Sequence, residues 1–184
     1  NFSSWKKETA FFNKLGYSTV ALDLRGHGYS DRCESYHSYS LKIFAKDIYE
    51  IIKKEKIKKF LIVSHSFGCA ITITFSKLYP NLAYGYVLIG STYEAPPKLK
   101  LFFKNKYINS FIRNLPINFK LSRYHPDNNY FNWTGDLNLI RIGSDIKYTS
   151  LKVWLYTIKI FSKYNEKNYV RKIKQPALII HGEK

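Results

Sequence analysis

At 184 residues, 45% hydrophobic and 17% aromatic, the chain is long enough to bury a core and too apolar to be disordered. It has no apolar run near the roughly 18 residues that cross a membrane as a helix, and two cysteines, Cys33 and Cys69, are too few for a disulfide framework or a cysteine-based metal centre. The net charge of +17 would suit an anionic partner, but lysine far outnumbers arginine where a phosphate-binding surface favours the arginine fork, so the excess reads as compositional bias.

Ser4 is placed as the N-cap of a first helix, whose Trp5, Phe11, Phe12 and Leu15 make one apolar face ending at Gly16. Tyr17 to Leu22, with Thr19 and Val20 at its centre, reads as a strand. Asp23-Leu24-Arg25-Gly26-His27-Gly28-Tyr29-Ser30-Asp31 follows, with two glycines, several charges and no periodicity, the pattern of a tight ordered loop. A second helix starts at Ser40 and places Leu41, Phe44, Ala45, Ile48, Ile51 and Ile52 on one face. Lys53 to Lys59 form its basic end, which suits the negative pole of the helix dipole.

The stretch Phe60-Leu61-Ile62-Val63-Ser64-His65-Ser66-Phe67-Gly68-Cys69-Ala70 joins two kinds of periodicity. Its first four residues predict a short strand buried on both faces. Ala70, Ile71, Thr74, Phe75 and Leu78 then recur at helical spacing until Pro80. A strand that turns directly into a helix with serine at the apex exposes the hydroxyl on strained backbone, and the first helical N–H groups face whatever it attacks. The tightness of such a turn asks for small residues two before and two after the serine, as Ser64 and Gly68 are. A serine ahead of a helix also serves simply as an N-cap, so this stretch alone leaves two readings of Ser66 open.

Tyr84 to Gly90 reads as a third strand, and the alternation of strands with amphipathic helices predicts a parallel sheet flanked by helices. After Pro96-Pro97 the chain becomes aromatic, basic and helical in pattern, with breaks near Pro116 and Pro126. Its clearest apolar stripe is Leu151, Trp154, Leu155, Ile158 and Phe161, and residues 98–174 hold 16 Lys or Arg against 4 Asp or Glu. The final run, Ile173-Lys174-Gln175-Pro176-Ala177-Leu178-Ile179-Ile180-His181-Gly182-Glu183-Lys184, contains a last strand.

Three of these stretches resemble the α/β-hydrolase fold family, in that family's order. Residues 23–30 match its D-x-R-G-x-G-x-S loop, residues 64–68 its G-x-S-x-G nucleophile elbow with Ser64 in place of the first glycine, and residues 173–184 its I-x-x-P-x-L-x-I-x-G-x-x-D strand. The resemblance implies an α/β parallel sheet with a helical lid inserted, divided as core 1–95, lid 96–172 and core strand resumed 173–184. It implies Ser66 as nucleophile and the Phe67 backbone N–H as one oxyanion-hole donor, while Asp23 and His27 shape their loop and are not catalytic.

A serine hydroxyl needs a histidine to take its proton and a carboxylate to orient that histidine. None of His27, His37, His65, His125 and His181 matches the family's base position. The base and acid are expected beyond Lys184 and the second oxyanion donor before Asn1, so the chain is expected to be a fragment, inactive alone, whose sheet has a gap or a non-native closure beside the 60–64 strand. Glu94 is a fallback acid, and an exposed loop glutamate is the simpler account of it. The implied reaction is cleavage of a carboxylic ester or thioester through an acyl-Ser66 intermediate, with no cofactor and no metal; Cys33 and His37 read as loop residues, not ligands. Serine at the elbow argues against the branches that use aspartate there, the haloalkane dehalogenases and epoxide hydrolases. The alternative is a catalytically silent member that binds a ligand or partner under its lid. An anionic acyl carrier or membrane surface is a further expected partner of the basic lid, nucleic acid is not, and the sparse cysteines favour a cytoplasmic setting.

Overall fold

The computed structural model describes residues 2–117 and 149–182, and the chain divides into two compact units, Asn1–Tyr36 with Ile112–Tyr156 and His37–Phe111 with Thr157–Lys184. In the first unit, a 3₁₀ turn over Phe2–Trp5 leads into α1 (Lys6–Lys14). Ser4 is therefore not the N-cap; Trp5 holds that position, with no side-chain bond, because the chain enters through the tighter 3₁₀ turn. Gly16 ends the helix as expected, in the left-handed conformation (φ +85°), with its N–H donated to Asn13 O at 3.1 Å and that of Tyr17 to Phe12 O at 3.1 Å. The apolar face of α1 is not buried: Phe11, Phe12 and Leu15 are all exposed.

The strand expected at Tyr17–Leu22 does not form. A strand exists only through a neighbour's backbone, and β-propensity at Thr19 and Val20 cannot supply one. The Thr19 hydroxyl instead donates to Asn13 Oδ1 at 2.9 Å, back to α1.

The second unit holds the sheet. Ser40 caps α2 (Leu41–Lys54) as expected, its hydroxyl accepting the Ile43 N–H at 3.1 Å. Phe44, Ala45 and Ile52 are the buried residues of that helix. Then come β1 (Leu61–His65), α3 (Phe67–Leu78), β2 (Gly85–Ile89), α4 (Pro97–Phe102) and α5 (Lys106–Asn114). Later in the chain lie α6 (Leu151–Phe161), α7 (Lys167–Val170) and β3 (Ala177–Ile180).

The strands pair in parallel in the order β1-β2-β3, with Val63 opposite Val87 and Val87 opposite Leu178. Gly85 has no room for a side chain: a Cβ there would lie 2.9 Å from Pro176 O, just before β3, and 3.1 Å from a Leu61 methyl carbon. α3 is buried along Cys69–Ser76, and its Cys69, Ala70 and Ile73 form a core with Ala83, Tyr86, Leu88, Ala95 and Tyr164. Tyr79, at the end of α3, stacks on Tyr49 of α2 with ring centroids 4.3 Å apart.

Two expectations fail here in an informative way. β1 is not buried on both faces. Leu61 is 63% and Val63 43% exposed, while the alternate residue Ser64 is buried, so a run of apolar letters conceals a one-sided strand. β1 also pairs with β2 alone among the described residues. On α6 the buried side is Val153, Tyr156 and Ile160, with Lys152 and Thr157, and not the expected stripe beginning at Leu151, which is exposed. Tyr156 decides the rotation: its ring packs edge-on against Tyr36 at 5.2 Å and its hydroxyl reaches Glu34 O at 3.4 Å. α5 ends just before Pro116, as expected, while the break expected at Pro126 lies outside the described residues, as do His125 and Lys184. No described helix is long and apolar enough to cross a membrane.

Candidate active site

The elbow is built from the ends of β1 and β2 and the first turn of α3. Ser66 follows β1 directly and precedes Phe67, the first residue of α3. Its backbone lies at φ 49°, ψ −117°, a region that a residue with a Cβ occupies only when its surroundings hold it there, at a cost of about 1–3 kcal/mol. The holding bonds are short. The Ser66 N–H donates to Ile89 O at the end of β2 at 2.9 Å, and Ser66 O accepts the Cys69 N–H at 2.9 Å.

The hydroxyl of Ser66 is not a helix cap: it makes no side-chain bond to the N–H groups of α3. The residue is exposed. Phe67 is the first residue of α3, and its N–H is among the donors that a helix start leaves without an intrahelical carbonyl. Its ring packs edge-on against Phe44 of α2 at 5.6 Å and Phe161 of α6 at 6.3 Å, which anchors the residue carrying that N–H. The demand for smallness at the elbow is weaker than its sequence suggests. A Cβ on Gly68 would meet only Ser64 Cβ, at 3.5 Å, an ordinary contact.

The described histidines sit on separate elements. The ring of His65 lies beside Gly90, its Nε2 3.6 Å from where a Gly90 Cβ would stand. His181 is exposed after β3. His37 sits in the 3₁₀ turn Tyr36–Ser38. His27 belongs to the 23–31 loop, where its Nδ1 lies 3.0 Å from Arg25 O. Since a carbonyl only accepts, Nδ1 carries the proton. Burial pushes the His27 pKa down to about 4, against the opposing pull of that carbonyl, so the ring is neutral and weakly basic.

Asp23, which with His27 imitates a triad fragment, is consumed by its own loop. Its two carboxylate oxygens accept the Phe2 N–H at 2.8 Å and the Tyr29 N–H at 2.9 Å. Its backbone carbonyl accepts the Ser30 hydroxyl at 2.8 Å. Gly28, at φ +52°, lies so close that any Cβ there would overlap the carboxylate.

Glu94 is likewise engaged. It forms an antiparallel bridge with Asn165, whose side-chain amide donates to Glu94 Oε2 at 3.5 Å. The Ala95 N–H donates to Tyr164 O and the Glu166 N–H to Tyr93 O, stitching 93–95 to 164–166. Sequence reasoning missed that bridge, and it missed the contact between Ser64 and Cys69 beneath the elbow, where the hydroxyl oxygen lies 3.6 Å from the sulfur. Ser64 in a place expected to hold glycine was the available signal for the second.

A parallel sheet crossed by helices, with a serine at positive φ between strand and helix, defines a class. The chain belongs to the α/β-hydrolase fold family, whose model matches residues 1–184. Among individual proteins, it is 33% identical to Protein ABHD8 of Homo sapiens over 85 residues, 46% of this chain and 19% of that protein. It is 26% identical to Epoxide hydrolase 3 of Xenopus tropicalis over 95 residues, 52% of this chain and 26% of that one. The matched stretches thus span about a quarter or less of these curated relatives. Among solved structures, an esterase from Thermogutta terrifontis superposes with a TM-score of 0.70 at 14% identity, covering 99% of this chain and 67% of that one. An epoxide hydrolase from Vigna radiata gives 0.64 at 20% identity, covering 98% and 68%. At these identities the structural likeness speaks for the fold.

Proposed function

We propose that the protein is a serine hydrolase that cleaves a carboxylic ester or thioester. The observation that carries this is the Ser66 backbone at φ 49°, ψ −117° between β1 and α3, with an exposed hydroxyl that caps nothing. Strain of this kind is kept where it holds a reacting group in place, and a capping serine has no need of it.

In the first step Ser66 Oγ bonds to the acyl carbon, its proton passes to a base, and the carbon–oxygen or carbon–sulfur bond to the leaving group breaks as that group is protonated. Water then attacks the acyl-serine and regenerates the hydroxyl. The Phe67 N–H donates to the oxygen that becomes negative in each step; removing one such donor typically costs roughly a hundred- to a thousand-fold in rate. No histidine or acid of this chain is assigned the base or orienting role. The proposed lid is residues 96–172, whose described residues include the helices α4 to α7, and their basic excess attracts anionic acyl carriers or membrane surfaces. Relatives named as epoxide hydrolases share the fold, but a serine at the elbow favours an acyl substrate.

The experiment is Ser66→Ala in the intact protein, assayed on p-nitrophenyl esters and an acyl thioester. Hydrolysis falls to background while the variant unfolds at the wild-type midpoint. Undiminished turnover rules Ser66 out.

A further inference from the structure

The side chains beneath the elbow do something that the glycine of the family pattern cannot. Ser64 is buried, with its hydroxyl 3.6 Å from Cys69 Sγ and 3.4 Å from Val87 O on β2. Cys69 is fully buried, and its sulfur lies 3.4 Å from each of two carbonyl oxygens, Ser64 O and Ile89 O. Thiol and hydroxyl each have one proton, so the thiol donates to Ser64 O or Ile89 O and the hydroxyl to Val87 O or Cys69 Sγ, one acceptor at a time. Burial pushes the Cys69 thiol upward, so it keeps that proton at neutral pH.

The carbonyl of Ile89 is the shared anchor. It accepts the Ser66 N–H and also faces the Cys69 thiol, and the Cys69 N–H in turn holds Ser66 O. Ser66 is thereby gripped through both of its backbone polar groups by partners that Ser64 and Cys69 tie together. We propose that Ser64 and Cys69 are a positioning pair, which locks the strained backbone of Ser66 between the ends of β1 and β2 and the first turn of α3 and so aims its hydroxyl. This rests on the reading of Ser66 as the nucleophile. Cys69 itself is too buried to react, and the pair acts through Ser66 alone.

The test uses the intact protein with Cys69→Ala, Cys69→Ser and Ser64→Gly. It reads hydrogen exchange at the Ser66 amide by NMR and the second-order rate of fluorophosphonate labelling of Ser66. Cys69→Ala speeds the exchange and slows labelling by about ten- to a hundred-fold, the scale of a small misplacement of a reacting group. Cys69→Ser keeps a donor at the same carbonyls and recovers most of both. Ser64→Gly loses less, and the double variant Ser64→Gly/Cys69→Ala loses no more than Cys69→Ala, as members of one network do. If Cys69→Ala does not fold, Cys69→Ser and Ser64→Gly carry the comparison. Unchanged exchange and labelling in variants that merely unfold more easily would overturn the pair and leave it as packing, as would a Cys69→Ser no better than Cys69→Ala. A wild type that never labels but whose Ser66 amide still responds would sink the nucleophile and keep the pair as a lock on the backbone.

Discussion

Two turns of this chain draw on the same small vocabulary of glycine, serine and histidine, and they use it in opposite ways. In the 23–31 loop the side chains of Asp23, His27 and Ser30 are all bonded to backbone groups. The Asp23 carboxylate binds two N–H groups, Ser30 binds the Asp23 carbonyl, and His27 binds Arg25 O. At the elbow the backbone is held as firmly, through Ile89 O and the Cys69 N–H, yet the hydroxyl at the apex caps nothing and is exposed. The difference teaches that residue type does not decide whether a side chain is left open to solvent. What decides it is whether the surroundings spend its hydrogen bonds.

The comparison is broken most forcefully at Gly28. Gly28→Ala puts a Cβ into the Asp23 carboxylate at a positive φ, and it is expected to cost at least about 2 kcal/mol in urea denaturation. Asp23→Asn leaves one of the two N–H donors facing an amide NH₂, at about 1–2 kcal/mol. Ser66 labelling by a fluorophosphonate should survive Asp23→Asn, since the loop's role is structural. Loss of labelling in a folded Asp23→Asn protein would return Asp23 to the chemistry.

His27 gives the loop a pH signature. Its folded pKa, about 4, lies below the ordinary 6.5, so the folded state binds fewer protons between these values. The stability it contributes is complete above pH 6.5 and is lost as the pH falls toward 4. His27→Gln should flatten that part of the stability-against-pH profile, and an unaltered profile would show that another group carries it. The smallest effect is expected at the elbow. Gly68→Ala meets only ordinary contact at 3.5 Å within a helical turn, and helix propensity favours alanine by up to about 1 kcal/mol. It should change stability and labelling little, whereas a collapse would mean that the turn is tighter than its geometry.

What was legible in the sequence was whatever local chemistry dictates. The Ser40 cap, the Gly16 terminus, the third strand at 85–89 and the strand-turn-helix at Ser66 all follow from neighbours within a few residues. What was not legible depends on partners far along the chain. Tyr17–Leu22 has the propensity of a strand and joins no ladder among the described residues, and Leu61 and Val63 are apolar without being buried. On α6 the buried side is set by Tyr36 and Glu34, more than a hundred residues earlier, so the best apolar stripe pointed elsewhere. At the candidate site, the motif placed Ser66 and Phe67 between strand and helix, as they lie, but the grip on Ser66 through Ile89 and Cys69 crosses from β1 to β2 and has no sequence period.

The most direct measurement is the site of covalent labelling. The intact protein, treated with a fluorophosphonate and digested for mass spectrometry, should carry a single adduct on Ser66 of the peptide containing His65-Ser66-Phe67, and Ser66→Ala should carry none. An adduct on a different residue, or equal labelling of the Ser66→Ala protein, would contradict the claim that this strained and exposed serine is the nucleophile.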